Sequence, residues 1–358
     1  MDHLFDTEKM TKTIRKAKRR ATWKIILITL IVLIIAFAVG KKGNDKLSDF
    51  FASWERNVFD NRQKISGTTN FIGVRSNFNG FLGGETQYKT YKWIEGKIVP
   101  TGEGRYGYGV GAEHVMPRGS GYAAAFFQSY DEKSAEHVSY TELGYREMVF
   151  FYPFGQYQKM RNDLALLPEI RDDKVMEMAL SFNRGFSVQE ALDKLPKDVR
   201  TTWLWVKDVD EALTEDYTGK TFSTNAGGKQ TKGNPYLLLR PAQTAYGFSL
   251  FDYNNQPIDN AAEQFVGAIN QGTQLHFDMK RKLAWQFVQA VSGNMDANKA
   301  RQEEYRRLAQ KIGGTDGLAV NDLVIYGAIV TGDKQQLASL KGLDFIKASS
   351  LGVIVDKY

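Results

Sequence analysis

Cysteine is absent from the 358 residues, which excludes disulfides, thiolate metal sites and a cysteine nucleophile together. Histidine is scarce. His3, His114, His137 and His276 show no H-E-x-x-H spacing and have no cysteines with which to complete a zinc site. Glu113-His114 and Glu136-His137 are adjacent pairs, which point apart on a regular element and make poor joint ligands. Neither G-x-S-x-G nor S-x-x-K occurs at any serine, and the P-loop pattern is missing. Gly102, Gly104 and Gly107 satisfy G-x-G-x-x-G formally, yet no apolar helix follows and Tyr106 and Tyr108 crowd the place of a phosphate, so strand turns account for them. Asp208, Asp210 and Glu211 are read as a solvated turn rather than a glycosidase pair. The expectation is a chain without cofactor, metal, small-molecule substrate or enzymatic activity, although catalytic residues distant in sequence leave no motif.

Excess charge is also scarce beyond the first 24 residues, which carry +5 of the formal +6. The pI near 9.1 thus belongs to the tail, and direct nucleic-acid binding by the remainder lacks its electrostatic footprint. The tail runs into residues 25–39, all apolar except Thr29. With Ala21, Thr22, Trp23, Lys24 and Gly40 the segment reaches the roughly 20 residues that cross a bilayer as a helix. Lys24 can snorkel and Trp23 can sit at the interface. The excess of lysine and arginine before the run keeps the N-terminus inside and everything after Lys41 outside. The competing reading is a signal peptide cut after Ala38, because Ala36-Phe37-Ala38 has the small-x-small form; the long basic region and the continuing apolar run favour a retained anchor.

The expected organisation is a basic cytoplasmic tail (1–24), a transmembrane helix (25–40), a polar exit linker (41–48), a β-rich membrane-proximal region (49–158) and an α+β region (159–358). In the last, Met176, Met178, Leu180 and Phe182 alternate as one buried strand face, Ser187 and Glu190 have capping-box spacing, and 201–206 is a second strand. The order returns at the C-terminus: a strand at 323–330, Asp333 with Gln336 as a second cap, and a strand at 346–355. Two β-α-β units follow, which can form a split, ferredoxin-like sheet with a helical insertion near 258–270, 273–291 and 296–312. A strand at 246–251 precedes that insertion, and 218–235 is a glycine-rich loop expected to be mobile.

The opening TIRKAKRRATWKIILITLIVLI resembles the N-terminal segment of sigma factor regulators. The stretch MALSFNRGFSVQEALDKLPKDVRTTWLWV and the ending IYGAIVTGDKQQLASLKGLDFIKASSLGVIVDKY resemble the C-terminal domain of these Gram-positive anti-sigma-factor proteins. The resemblance spans roughly residues 10–40 and 160–358, and its specificity lies in SF-x3-(F/Y)-S-x2-E and IKASS-x-GV-x-VD. It implies a bitopic regulator of an extracytoplasmic-function sigma factor with an external sensory domain. The 24 residues before the run leave no room for the folded cytoplasmic cap of full-length anti-sigma factors. The expected inner contact is instead a basic helix, with Met10 and Ile14 on its apolar face and Arg15, Lys16, Arg19 and Arg20 around it. It would meet anionic lipid, a sigma factor or a small membrane co-regulator. The alternative function is an anchored cell-envelope binding or scaffold protein; a secreted hydrolase is the third class.

Overall fold

The computed structural model describes residues 7–66, 70–110, 112, 127–131, 136–141, 143–155, 157, 160–209, 222–224, 230–232, 239–274, 297–314 and 317–358. It is a mixed α+β structure with one long N-terminal helix and several antiparallel sheets.

Helix α1 (Thr7–Gln63) runs unbroken for 57 residues, about 85 Å at 1.5 Å per residue. The side chains at 25–39 are all exposed, a stretch apolar and long enough to cross a membrane, as a lasting span or as a signal sequence. Residues 41–48, expected as a linker, are helical, and so is the start of the region expected to be β-rich. Gly43, Asn44 and Asp45 look like breakers. An already formed helix needs no new nucleus to pass them, however, and Leu47, Phe50, Phe51, Trp54 and Val58 supply an apolar stripe at helical spacing on the far side.

Strands β1 (Phe71–Asn79), β2 (Gly83–Ile94) and β3 (Lys97–Gly109) form an antiparallel meander. On β2 the residues Thr86, Tyr88, Thr90, Lys92 and Ile94 alternate inward, which marks a sheet with one covered face. The G-x-G-x-x-G glycines sit within β3 and open no helix. A hairpin of short strands follows, β4 (Phe127–Asp131) with β5 (Glu136–Tyr140), and β6 (Val149–Phe151) pairs with a much later segment.

The largest sheet holds β7 (Lys174–Phe186), β8 (Arg200–Val206), β12 (Gly247–Ser249), β13 (Ile325–Asp333) and β14 (Ile346–Asp356) in the order β12-β8-β13-β7-β14, all antiparallel. Between β8 and β12 lie β9 (Phe222–Thr224), β10 (Gln230–Lys232) and β11 (Leu239–Pro241). The β9–β10 pair is the described part of the loop at 218–235, and β11 pairs with β6. Helix α2 (Val188–Lys194) links β7 to β8, and α5 (Lys334–Ala338) links β13 to β14. Each β-α-β unit straddles a strand of the other: β13 lies between β7 and β8, and β7 lies between β13 and β14.

Both expected caps form. Ser187 accepts a hydrogen bond from the Glu190 N–H, and Asp333 and Gln336 make the reciprocal pair. The helical insertion comprises α3 (Ala261–Gln274) and α4 (Ala297–Ile312); 275–296 lies outside the described residues.

One buried face of β7 was expected, but both are covered. Met176, Met178, Leu180 and Phe182 join Leu204, Val330, Leu337, Phe265 and Leu308 beneath the helices. Ala179 faces a second cluster with Phe150, Tyr152, Trp203, Trp205 and Tyr326, brought by β6 and the turn after β11. Gly327 is where β13 meets this crowding. A Cβ there would stand 2.3 Å from the Leu180 carbonyl oxygen and 3.1 Å from the Trp205 ring.

Candidate functional site at the helix seat

The C-terminal end of α1 is wedged between the three-stranded sheet and the α3–α4 pair. On one side Phe59 packs on Tyr106 and Tyr88, ring centroids 4.7 and 5.0 Å away, while Phe51 and Ala52 bury against Tyr108. Burial pushes the Tyr88 phenol up to about 12. Arg75 of β1 pairs with Asp60 and lies over the Phe59 ring. On the opposite side Arg301 of α4 holds Glu55 through two hydrogen bonds of 2.7 and 3.2 Å. Asn61 donates to the Ala268 carbonyl at 3.0 Å and to the Tyr305 hydroxyl at 3.3 Å, and Arg62 pairs with Glu304 at 3.1 Å. Just past the helix, Ile65 enters the main core and its carbonyl accepts the Gly247 N–H at 2.9 Å. The end of the helix and the two residues after it are thus tied to β1, β2, β3, α3, α4 and β12 within 15 residues.

A second layer of polar groups fastens the two sheets. Lys92 of β2 reaches both carboxylate oxygens of Glu177 of β7, at 2.9 and 2.8 Å, and both side chains are buried. Ile94 and Val99 pack beside this pair on Val175 and Val353. The bordering cleft, with room for about one water, is lined by Asn70, Thr101, Arg146, Glu147 and Gln243 as well as the pair itself. Glu147 accepts from Gln243 at 2.5 Å. Desolvation raises its carboxyl to about 7, against the opposing pull of Lys92 and Arg161. Among the described residues there is no group of three histidines, cysteines, aspartates or glutamates able to hold a metal.

The residues of the two sequence motifs are brought together as fasteners. Lys347 donates to the carbonyls of Tyr152, Pro153 and Gly155 at 2.7–2.9 Å, and burial lowers its ammonium from the ordinary lysine value. Ser349 accepts the Leu164 N–H, Ser350 the Val149 N–H and Ser181 the Phe151 N–H. Glu190 pairs with Arg184, which also covers the Phe186 ring. These side chains pin the 147–165 segment and α2 to the large sheet.

Of the tail residues proposed for partner or lipid contact, Ile14, Arg15, Lys16, Arg19 and Arg20 are exposed on α1, and Met10 lies in its first turn, its side chain outside those described. They share one helix with the seat but stand about 46 Å (Arg20) to about 62 Å (Met10) of helix away from Phe51. Asp208 corrects an expectation. It is fully buried rather than in a solvated turn, paired with Arg240 at 2.7 Å and accepting the Tyr152 hydroxyl at 2.8 Å. Burial raises its carboxyl against the opposing pull of Arg240. Asp210 and Glu211 lie outside the described residues, as do His3, His114 and His276 and the side chain of His137.

Sequence reasoning missed the Lys92–Glu177 pair. The signals were a lysine in the inward phase of β2 and a glutamate set among Val175, Met176 and Met178. It also missed Asn44, whose amide bonds the β1–β2 turn.

The Sigma factor regulator C-terminal family matches residues 167–353, just over half of the chain. The match begins in the short 3-10 helix (Asp163–Glu169) before β7, takes in the interleaved sheet up to Val353 within β14 and leaves residues 10–40 outside it. No curated protein and no solved structure matches. With its matched segment carrying the first motif, the second as far as Val353 and nearly all of the sheet they fasten, the chain belongs to the Sigma factor regulator C-terminal family.

Proposed function

We propose that this protein is a membrane-anchored, anti-sigma-factor-like regulator in which α1 conveys the state of the folded region to its own basic end. In this reading residues 25–40 stay in the bilayer, the positive tail stays in the cytoplasm and the folded region lies outside. The tail then meets a sigma factor or a small membrane co-regulator through Met10 and Ile14, with Arg15, Lys16, Arg19 and Arg20 on partner carboxylates or anionic headgroups. The interleaved β-α-β pair is read as a ferredoxin-like core. Regions 49–158 and 159–358 act as one sensing body, joined by the Lys92–Glu177 bridge.

The observation that carries the reading is the lack of any helix break between the apolar run and the seat. A displacement at Glu55, Phe59 or Asn61 has no flexible joint in which to dissipate, so it is delivered as a piston, rotation or association of the span. Family membership supports a regulatory rather than an enzymatic role.

The test is an insertion of Gly-Gly-Ser-Gly between Lys42 and Gly43, which decouples the seat from the span while leaving both. The expected result is loss of the sigma-dependent reporter response with unchanged thermal unfolding of the detergent-solubilised protein. An intact response would sink the relay and favour the anchored scaffold.

A further inference from the structure

Four large apolar side chains of the membrane-proximal sheet and its β1–β2 turn are exposed: Phe81 and Val74, each 78%, Ile98 of β3, 59%, and Phe78, 53%. Their heights along α1 differ. Asn44 donates from its amide nitrogen to the Gly80 carbonyl at 2.9 Å and accepts the Leu82 N–H at 2.6 Å, so one side chain holds both ends of the turn that carries Phe81. Asn79 next bonds Asp49, and Arg75 pairs with Asp60. Strand β1 therefore descends along the helix with its tip at the level of residue 44 and Val74 near the level of residue 60.

Asn44 is four residues past Gly40, about 6 Å along the axis, while residue 60 is about 30 Å past it. A bilayer has roughly 5–7 Å of headgroup region on each side of its ~30 Å hydrocarbon core. The run 25–40 rises only about 24 Å, so the membrane draws its flanks toward the boundary. This puts the β1–β2 turn in the headgroup layer, with Lys41, Lys42 and Lys46 beside it. The turn is also built at a cost. Leu82 has φ +51°, a left-handed conformation that a leucine adopts only when held there. The result presents Phe81 outward, where burial in protein does not repay it.

Resting on the reading of 25–40 as a lasting span, we propose that the β1–β2 turn is a second membrane contact, with Phe81 seated in the interfacial layer of the leaflet facing the folded region. The partner is the lipid surface itself. With α1 it makes a two-point attachment that resists rotation of the helix about its axis, so a rotation imposed at the seat must lift or drag this turn.

The absence of native cysteine permits a direct test on the full chain. Phe81→Cys, Val74→Cys and Leu30→Cys, each carrying a nitroxide, are placed in phosphatidylcholine–phosphatidylglycerol liposomes at about one protein per vesicle, and collision with oxygen is compared with collision with a water-soluble nickel chelate. The expected oxygen preference is highest at 30, clearly present at 81 and absent at 74. A label at 81 as water-exposed as at 74, with 30 in lipid, overturns the turn contact and leaves the span intact. Water exposure at 30 as well overturns the span and the contact together. A label at 81 shielded from both quenchers places it against protein, which also overturns a lipid seat. Unfolding midpoints in detergent, expected to be unchanged because Phe81 supports no core, show that the variants are folded.

Discussion

The two principal sheets are held by different means. The five-stranded regulator sheet is covered on both faces, by the helices on one and by Met148, Phe150, Tyr152, Ala242 and Ala245 packed on its Trp203 and Trp205 on the other, and its cohesion is chiefly apolar burial. The three-stranded membrane-proximal sheet covers one face only. It is attached by α1, by the buried Lys92–Glu177 pair and by a small patch of Ile94 and Val99. A meander this small has too little core of its own, so its stability is borrowed from what it touches. The first sheet is therefore held by its own core, and the second by the elements it touches.

That contrast can be broken most severely at the ion pair. Lys92→Met should cost about 3–5 kcal/mol by stripping a buried carboxylate of its ammonium, while Lys92→Met with Glu177→Leu should recover most of the loss. Urea unfolding of the solubilised protein measures both, and equal losses in the single and double variants would show that the pair is no fastener. Next in size, Phe59→Ala removes the ring between Tyr88 and Tyr106, for about 2 kcal/mol at a half-buried site. Hydrogen exchange should speed in β2 and β3 and stay slow in β7 and β13; uniform acceleration would mean that the sheets unfold as one.

A pH series sharpens the same comparison. The Glu147 carboxyl is raised to about 7 from 4.5, so the folded state binds its proton more tightly than the unfolded chain does. Its stabilising contribution is fully present below about 4.5 and is lost as pH climbs through about 7. The loss should be on the order of 1–2 kcal/mol once solvent screening at the open cleft is allowed for. Glu147→Gln should flatten that part of the Tm-versus-pH curve, and an unaltered slope would assign it to other groups. Smallest of all, Arg301→Ala at the part-buried Glu55 pair should cost about 1 kcal/mol and less at high salt. Its informative readout is the sigma-dependent reporter, where loosening the seat should blunt the response more than it lowers Tm.

Much of the regulator sheet was legible because its signals are local. Ser187 and Glu190, Asp333 and Gln336, and the strand runs at 201–206 and 346–355 specify caps and extended segments within a few residues of themselves. The helix at 41–63 was misread because Gly43 and Asn44 have local preferences that continuity and packing override. Asp208 was misread for a related reason: nothing near it in the chain announces Arg240, 32 residues away. The fasteners of the site were hidden by distance, with 85 residues between Lys92 and Glu177 and 246 between Glu55 and Arg301.

The sequence by itself determined the apolar run, the charge asymmetry across it, the two β-α-β units and the motifs that mark the family, since periodicity, caps and net charge are properties of neighbours along a chain. Only the tertiary structure decided that the two units interleave, that α1 passes unbroken into a seat between two bodies, and that a phenylalanine turn stands beside the end of the apolar run. Those facts depend on which distant side chains meet, and the energy of each meeting, at Lys92 and Glu177 or at Asn44 and Leu82, exists only once the intervening chain has folded.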